Sequence, residues 1–428
     1  MPPLYDPANP SSPEVRRRAF RLLFLCLMAT GIGNSMLFAI LPPLARELAV
    51  SEIYIGAIYT LSALLFLVMS PVWGALSDRR GRRPLIIFGL TSFAVSTLIF
   101  ACGAWAGQVG LLPPLAAIVA MALSRALFGG LGSATNPSAQ AYVADRTSPS
   151  ERTEALAGLT AAFGLGGVIG PALAAAFVER IGVAPFMIVI AVIVGSGAFA
   201  VRNLLPENTP PKQRQRPINP FAQFAFAGDP RLMPFMVFGV LVWLSQAASL
   251  QAIGFYVMDK LSADPEAGLQ LAGVALTAGA GGLIFAQLAV IPALKASPRT
   301  LMALGAALIL IGNAELVFAP NYAAIVFGFL LNSFGFGLAR SGFTGGASLS
   351  VDPEDQGRAA GLTTATAGLG FLVAPLTGLW LYQAVGPETP FALNAALAGL
   401  ATLLAFLHPR IRAVIQVAPV APTPKDPV

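Results

Sequence analysis

Charge is scarce in this chain. Only 11% of its 428 residues are Asp, Glu, Lys or Arg, where a soluble domain carries about 25%. Histidine occurs once, at His408, and cysteine twice, at Cys26 and Cys102. Both cysteines sit inside apolar runs, so neither a disulfide framework nor a metal site is indicated. No G-x-x-x-x-G-K-[ST] loop is present, which excludes ATP hydrolysis at a P-loop as the energy source. No nucleophile–base constellation is visible either, so the sequence reads as a non-enzyme without a cofactor. The N-terminal stretch MPPLYDPANPSSPEVRRR lacks the apolar core and small-residue cleavage site of a secretory signal. It reads as a short disordered arm.

Apolar residues are what the chain has in excess: 56% of it is hydrophobic, and mean hydropathy is +0.73. Its 43 glycines and 35 prolines fit a membrane protein, because lipid-embedded helices tolerate both. A helix needs about 20 mostly apolar residues to cross a bilayer. That ruler predicts twelve spans near 19–43, 53–76, 84–106, 113–142, 154–178, 183–204, 232–258, 268–292, 299–319, 322–347, 359–384 and 389–408. Of the 26 basic residues, all but Arg46, Arg180, Lys260, Arg125 and Arg340 then fall on one side. By the positive-inside rule both termini are expected in the cytoplasm. The same placement explains the net charge of +6 without nucleic acid.

The stretch LPENTPPKQRQRPINPFAQFAFAGDPR breaks the apolar pattern and reads as a linker, with PFAQFAF on the membrane surface. The expected organisation is a cytoplasmic arm over 1–18, a six-helix bundle over 19–204, the linker over 205–231, a second bundle over 232–408 and a tail over 409–428. An internal echo supports two related halves. GLGGVIGP, from Gly164 to Pro171, returns as GLGFLVAP, from Gly368 to Pro375, each after a loop of mixed charge. Repeats in corresponding positions are a mark of secondary transporters, whose substrate binds at the repeat interface. The fold expected is an all-α membrane protein, twelve transmembrane helices in two six-helix bundles with pseudo-two-fold symmetry.

The densest charge lies between spans 2 and 3, in GALSDRRGRRPLI. Positive-inside alone accounts for the arginines, but not for Gly74, Asp78 and Gly81 at fixed spacing. Gly74, Leu76, Asp78, Arg79, Gly81, Arg82 and Arg83 match G-x-L-a-D-r-x-G-r-[RK], and here the chain resembles the major facilitator superfamily. The resemblance extends over all twelve spans. It implies a conformational latch: Asp78 against the start of the eleventh helix, near Arg358 to Gly361, and Arg82 paired with Asp145. An anion at a helix N-terminus gains about 0.3–1 kcal/mol. Two further segments narrow the resemblance toward the tetracycline and multidrug efflux branch. SRALFGG places Arg125 in span 4, as in the superfamily's span-4 arginine motif, and GLGGVIGP puts Gly167, Gly170 and Pro171 on the positions of the drug–proton antiporter motif of span 5. There Ala174 and Ala175 replace the two glycines that the family pattern continues with. Met28 stands where tetracycline transporters carry a span-1 carboxylate, so their coupling mechanism does not transfer directly.

Few polar residues enter the spans, and each has a bland alternative. Arg125 is either part of a substrate or proton network or a structural charge bonded to backbone carbonyls, since charge at mid-membrane costs about 2.5–3.5 kcal/mol on insertion scales. Gly129, Ser133, Asn136 and Gln140 continue its face, and Pro137 is expected to bend that helix. In span 10, Asn332, Phe336 and Arg340 recur every four residues; the stripe lines a cavity, or Arg340 reaches the headgroups. Asn34 and Phe38 in span 1, and Gln246, Gln251 and Phe255 in span 7, serve as substrate contacts or as interhelical glue. Glu315 in span 9 is the one acid well inside a span, a candidate proton site or a carboxylate reaching water on the far side.

The expected function is export of a small amphipathic compound, a drug or secreted metabolite, from a bacterial-type inner membrane. Transport would run by alternating access with protons as the coupling ion, in a monomer whose partners are the substrate and the lipid bilayer. An importer or facilitator of a polar metabolite is the alternative. A transporter-like sensor or scaffold follows, and the intact latch motif argues against it.

Overall fold

The computed structural model describes residues 13–206, 228–352 and 355–413, the side chains at 149, 150, 153, 154, 157 and 356–358 excepted. Twelve helices among them are long and apolar enough to span a membrane. They are α1 (Pro13–Glu47), α2 (Glu52–Arg80), α3 (Arg82–Gln108), α4 (Pro114–Ala144), α5 (Pro149–Ile181) and α6 (Val183–Leu204) in the first half. The second half holds α7 (Met233–Leu261), α8 (Pro265–Leu294), α9 (Pro298–Phe318), α10 (Tyr322–Leu349), α11 (Gln356–Ala384) and α12 (Thr389–Leu407). No strand occurs among the described residues. A short helix, Pro409–Ala413, follows.

Local chemistry sets the ends. Proline stands in the first turn of α4, α5, α7, α8, α9 and α12, where its missing N–H costs nothing. Ser148, Asp264, Ser297 and Asn321 cap α5, α8, α9 and α10 with their side chains. The helices run past the apolar windows that hydropathy detects. α1 starts at Pro13, so residues 13–18 of the expected disordered arm are helical, carried by proline at N1 and Glu14 in the first turn. Most of the expected linker, residues 207–227, lies outside the described residues, as does the tail beyond 413.

Two helices break where proline removes a bond. α4 narrows to a 3₁₀ turn at Gly132–Ala134 before continuing from Thr135. The expected bend therefore sits one turn ahead of Pro137, because the absent N–H frees the carbonyl four residues earlier. α8 widens to a π turn at Ala286–Val290, just ahead of Pro292, for the same reason.

Because successive helices alternate direction, both termini share one face with the α2–α3 turn. This is the basic face; the opposite one is the far face. Across the interface between the halves, α2 packs on α11 and α5 on α8. The sequence echo lies on those two contacts. A Cβ built on Gly273 of α8 would come within 3.1 Å of the Pro171 carbonyl oxygen, and one on Gly56 of α2 within 2.7 Å of the Pro375 carbonyl oxygen. Each half thus meets the other's motif proline through a glycine, because any side chain there would push the helices apart.

Candidate functional site

The turn at the basic face is built by Gly81, whose φ of 95° and ψ of 155° suit glycine alone. It lets α3 restart at once, bringing Arg82 back onto α2. Arg82 forms an ion pair with Asp78, its Nε donates to Asp145 Oδ2 at 3.0 Å, and its Nη1 donates to Ser77 Oγ at 2.6 Å. Arg83 donates to the Arg202 carbonyl, while Arg79 is exposed. The cluster therefore ties α2, α3, α4 and α6 of one half together. Gly74 faces Pro137 of the same half at an ordinary 3.7 Å. The expected contact of Asp78 at Arg358 falls on a side chain outside the described residues.

In the membrane interior of the first half, Arg125 is only 5% exposed. Its Nη2 donates to Asn34 Oδ1 at 2.8 Å, and its guanidinium carbon lies 4.3 Å from the centre of the Phe128 ring. Its Nε has no partner. Tyr59 of α2 stacks on Phe38 with centroids 5.2 Å apart, and its buried hydroxyl also lacks a partner. Asn136 bonds Gln140 at 3.2 Å, and Gln140 is exposed.

The second half answers with neutral groups. Asn332 Nδ2 donates to Gln246 Oε1 at 3.1 Å. Asn313 Nδ2 donates to Asn332 Oδ1 at 2.9 Å, and Ser249 Oγ to Asn313 Oδ1 at 2.9 Å. Asn394 Nδ2 completes the chain on Ser249 Oγ at 2.9 Å. Asn332 and Gln246 are thus interhelical links in this conformation, joining α7, α9, α10 and α12. Arg340 sits over Trp243 at 5.5 Å, and Trp243 meets the Phe336 ring edge-on at 4.7 Å. Gln251 is buried with neither amide atom bonded. It lies one turn from Gly254, which packs on Pro42 of α1, so its face of α7 looks toward the first half. Glu315 is half-buried against Gly328, on a helix packed between α10 and α12.

In the antiporter-type segment, Gly170 presses on α1 (an added Cβ would meet the Ile32 carbonyl oxygen at 2.5 Å) and Gly167 faces open space. Ser35 Oγ reinforces the contact by donating to the Gly166 carbonyl at 3.0 Å.

Sequence reasoning missed one cluster. At the far face, Arg46 reaches Glu52 Oε1 at 2.7 Å and Asp259 Oδ2 at 2.9 Å, and lies 5.5 Å from the Phe255 ring centre. Tyr382 donates to Asp259 Oδ2 at 2.6 Å. Ser51 donates to Gln383 at 2.6 Å, and Gln270 donates to Glu179. These groups lock α1 and α2 onto α7 and α11, and α5 onto α8. The available signal was Arg46 itself, a basic residue left on the wrong side of the charge count.

Two helical halves, tied together at one face, have the layout of a membrane transporter. The sequence profile of the Major Facilitator Superfamily matches residues 23–294 and 237–426, and the chain belongs to that family. It is 24% identical over 405 residues to "Multidrug resistance protein 1" of Bacillus subtilis (strain 168), covering 92% of this chain and 98% of that protein. It is 33% identical over 153 residues to "Tetracycline resistance protein, class B" of Escherichia coli, covering 35% of this chain and 34% of that one. Among solved structures, a bacterial homolog of the human lysosomal transporter Spinster, inward-facing and unoccupied, superposes with a TM-score of 0.72 at 14% identity, covering 96% of this chain and all (100%) of that one. The human organic anion transporter MFSD10 (TETRAN) superposes at 0.65 and 20% identity, covering 92% of this chain and 100% of that one.

Proposed function

We propose that this protein exports a small amphipathic compound across a bacterial-type cytoplasmic membrane, with both termini cytoplasmic. The observation that carries the reading is the far-face lock of Arg46, Asp259 and Tyr382, joined to full-length similarity to a multidrug resistance protein. On this reading the conformation described is inward-facing. The far face is the periplasmic gate, closed by ions and aromatics, and the cavity receives cargo from the cytoplasm. Outward opening breaks the lock and brings the Asp78–Arg83 turn against the second half.

Protons are the coupling ion that the resemblance implies. Glu315 is poorly placed for it, since α9 is packed away from the interface between the halves. The carboxylates left for that work are held by arginine: Asp78 and Asp145 by Arg82, Glu52 and Asp259 by Arg46. The neutral amide chain of the second half favours one other reading, a facilitator or importer of a polar metabolite recognised by hydrogen bonds. Proteoliposomes decide between the two. Export predicts that a pH gradient or membrane potential drives net substrate movement away from the side holding the termini. Equilibration that ignores both gradients supports the facilitator.

A further inference from the structure

We infer that the cargo is an organic anion whose acid group binds Arg125, with its apolar body against the Phe38–Tyr59 stack. The inference rests on the transport reading above and names the substrate class for the same cavity.

The argument starts from an unbalanced charge. Arg125 lies about 16 Å along α4 from its far-face end, at 1.5 Å per residue, and is 5% exposed. Buried charges are normally paired. Among the described residues this one has no carboxylate partner: the bond drawn is to a neutral amide, Asn34, and Nε lacks an acceptor. The guanidinium carries five donors in a planar fork, and a carboxylate or sulfonate offers the matching oxygens.

A second donor waits beside it. The Tyr59 hydroxyl is buried and unpartnered, on a ring stacked on Phe38, one turn of α1 from the Asn34 that Arg125 bonds. A guanidinium with one donor unbonded and an unbonded hydroxyl are the complement of an anion and disfavour a cation. The acids toward the far face are engaged or remote. Glu52 and Asp259 are bound by Arg46, and Glu315 lies on a helix packed between α10 and α12.

The route inward carries the same sign. Arg340 stands about 13 Å from the basic-face end of α10 at 1.5 Å per residue, half-buried above Trp243. A cation there raises the local concentration of anions entering from the basic face. The aromatic walls favour a cargo with an apolar body over a bare inorganic ion.

The test uses the purified full-length protein and three probes of one shape: 2-naphthoate, the neutral 2-naphthamide, and the 2-naphthylmethylammonium cation. Binding is read by calorimetry and by ligand-induced thermal stabilisation. We expect naphthoate to bind at least about 10-fold tighter than the amide, and the ammonium probe not to bind. Arg125→Gln should bring naphthoate down to the level of the amide while amide binding persists, and Arg125→Lys should restore part of the preference. Equal binding of all three probes, no naphthoate binding at millimolar concentration, or a preference unchanged in Arg125→Gln overturns the inference. Should Arg125→Gln not fold, the wild-type ratio of naphthoate to amide decides. Vesicle efflux is read separately. Selective binding without movement keeps the anion site and sinks the transport reading; movement without charge selectivity does the reverse.

Discussion

The two halves share a scaffold and differ in their interiors. Both present a Gly- and Pro-bearing helix to a glycine of the other half, at Pro171 with Gly273 and at Pro375 with Gly56. Yet the first half buries a cation with an unbonded Nε at Arg125, while the second buries neutral groups: a bonded chain from Gln246 to Asn394 and the unbonded amide of Gln251. The symmetric parts are those that must slide past each other whatever is carried. The asymmetric parts are where a cargo can be told apart from water. A satisfied polar chain rigidifies its bundle; an unsatisfied charge calls for a ligand.

The largest effect expected is at Arg125. Arg125→Leu should abolish the preference for anions and cut transport by roughly 10–100-fold, the equivalent of one charged hydrogen bond of about 1.5–3 kcal/mol. Lysine should rescue partly, because it lacks the planar fork. Wild-type transport in Arg125→Leu would make the arginine structural and erase the contrast between the halves. Next comes Asn332→Ala, which removes the donor to Gln246 Oε1 and one of the two acceptors of Asn313 Nδ2 in the second half. A loss of about 1–3 kcal/mol in stability is expected, visible as a lower melting temperature with charge selectivity intact. A change in selectivity without loss of stability would place the substrate on the second half instead.

Smaller effects sharpen the same comparison. Glu315→Gln should retain most transport and most of its response to an imposed pH gradient; if that response disappears while exchange continues, Glu315 is the proton site. The smallest effect lies in the tethers of the basic face. Arg16 lies beside Glu151 at 3.1 Å and holds its carboxyl below the ordinary range, chiefly by charge. Asp229, just ahead of α7, is lowered mainly by hydrogen bonds from Arg231. A depressed carboxyl contributes stability above its unfolded pKa and loses it as pH falls through the folded value. Both tethers should therefore loosen only in acid below the ordinary carboxylate range, and salt should weaken both. Loosening near neutral pH, seen as faster amide exchange around Glu151, would contradict this assignment.

Much of this was legible in the sequence. Twelve spans follow from apolar runs, a local signal, and the Arg82–Asp145 pair that the family resemblance implied is present as an ion pair. Arg125, Asn34 and Phe38 were flagged one by one, and the structure brings Arg125 and Asn34 into one hydrogen bond. What stayed hidden needed the third dimension. Tyr59 reads in sequence as an ordinary aromatic of an apolar helix, and only packing reveals its orphaned hydroxyl. The lock of Arg46, Glu52, Asp259 and Tyr382 draws on helix ends far apart in the chain, with no motif to announce it. Asn332 and Gln246 drew attention as cavity candidates, and geometry shows them bonded to each other.

The central claim is that the far-face lock opens and closes as cargo is carried. The most direct measurement is a spin-label distance across it, between Ser51→Cys and Gln383→Cys, whose native side chains meet at 2.6 Å, in a background with Cys26 and Cys102 replaced by serine. The account predicts two distance populations, short and long, whose ratio moves toward long when Arg46→Gln or Asp259→Asn weakens the lock, and moves again when 2-naphthoate is added to the intact lock. A single short distance under every condition would contradict it.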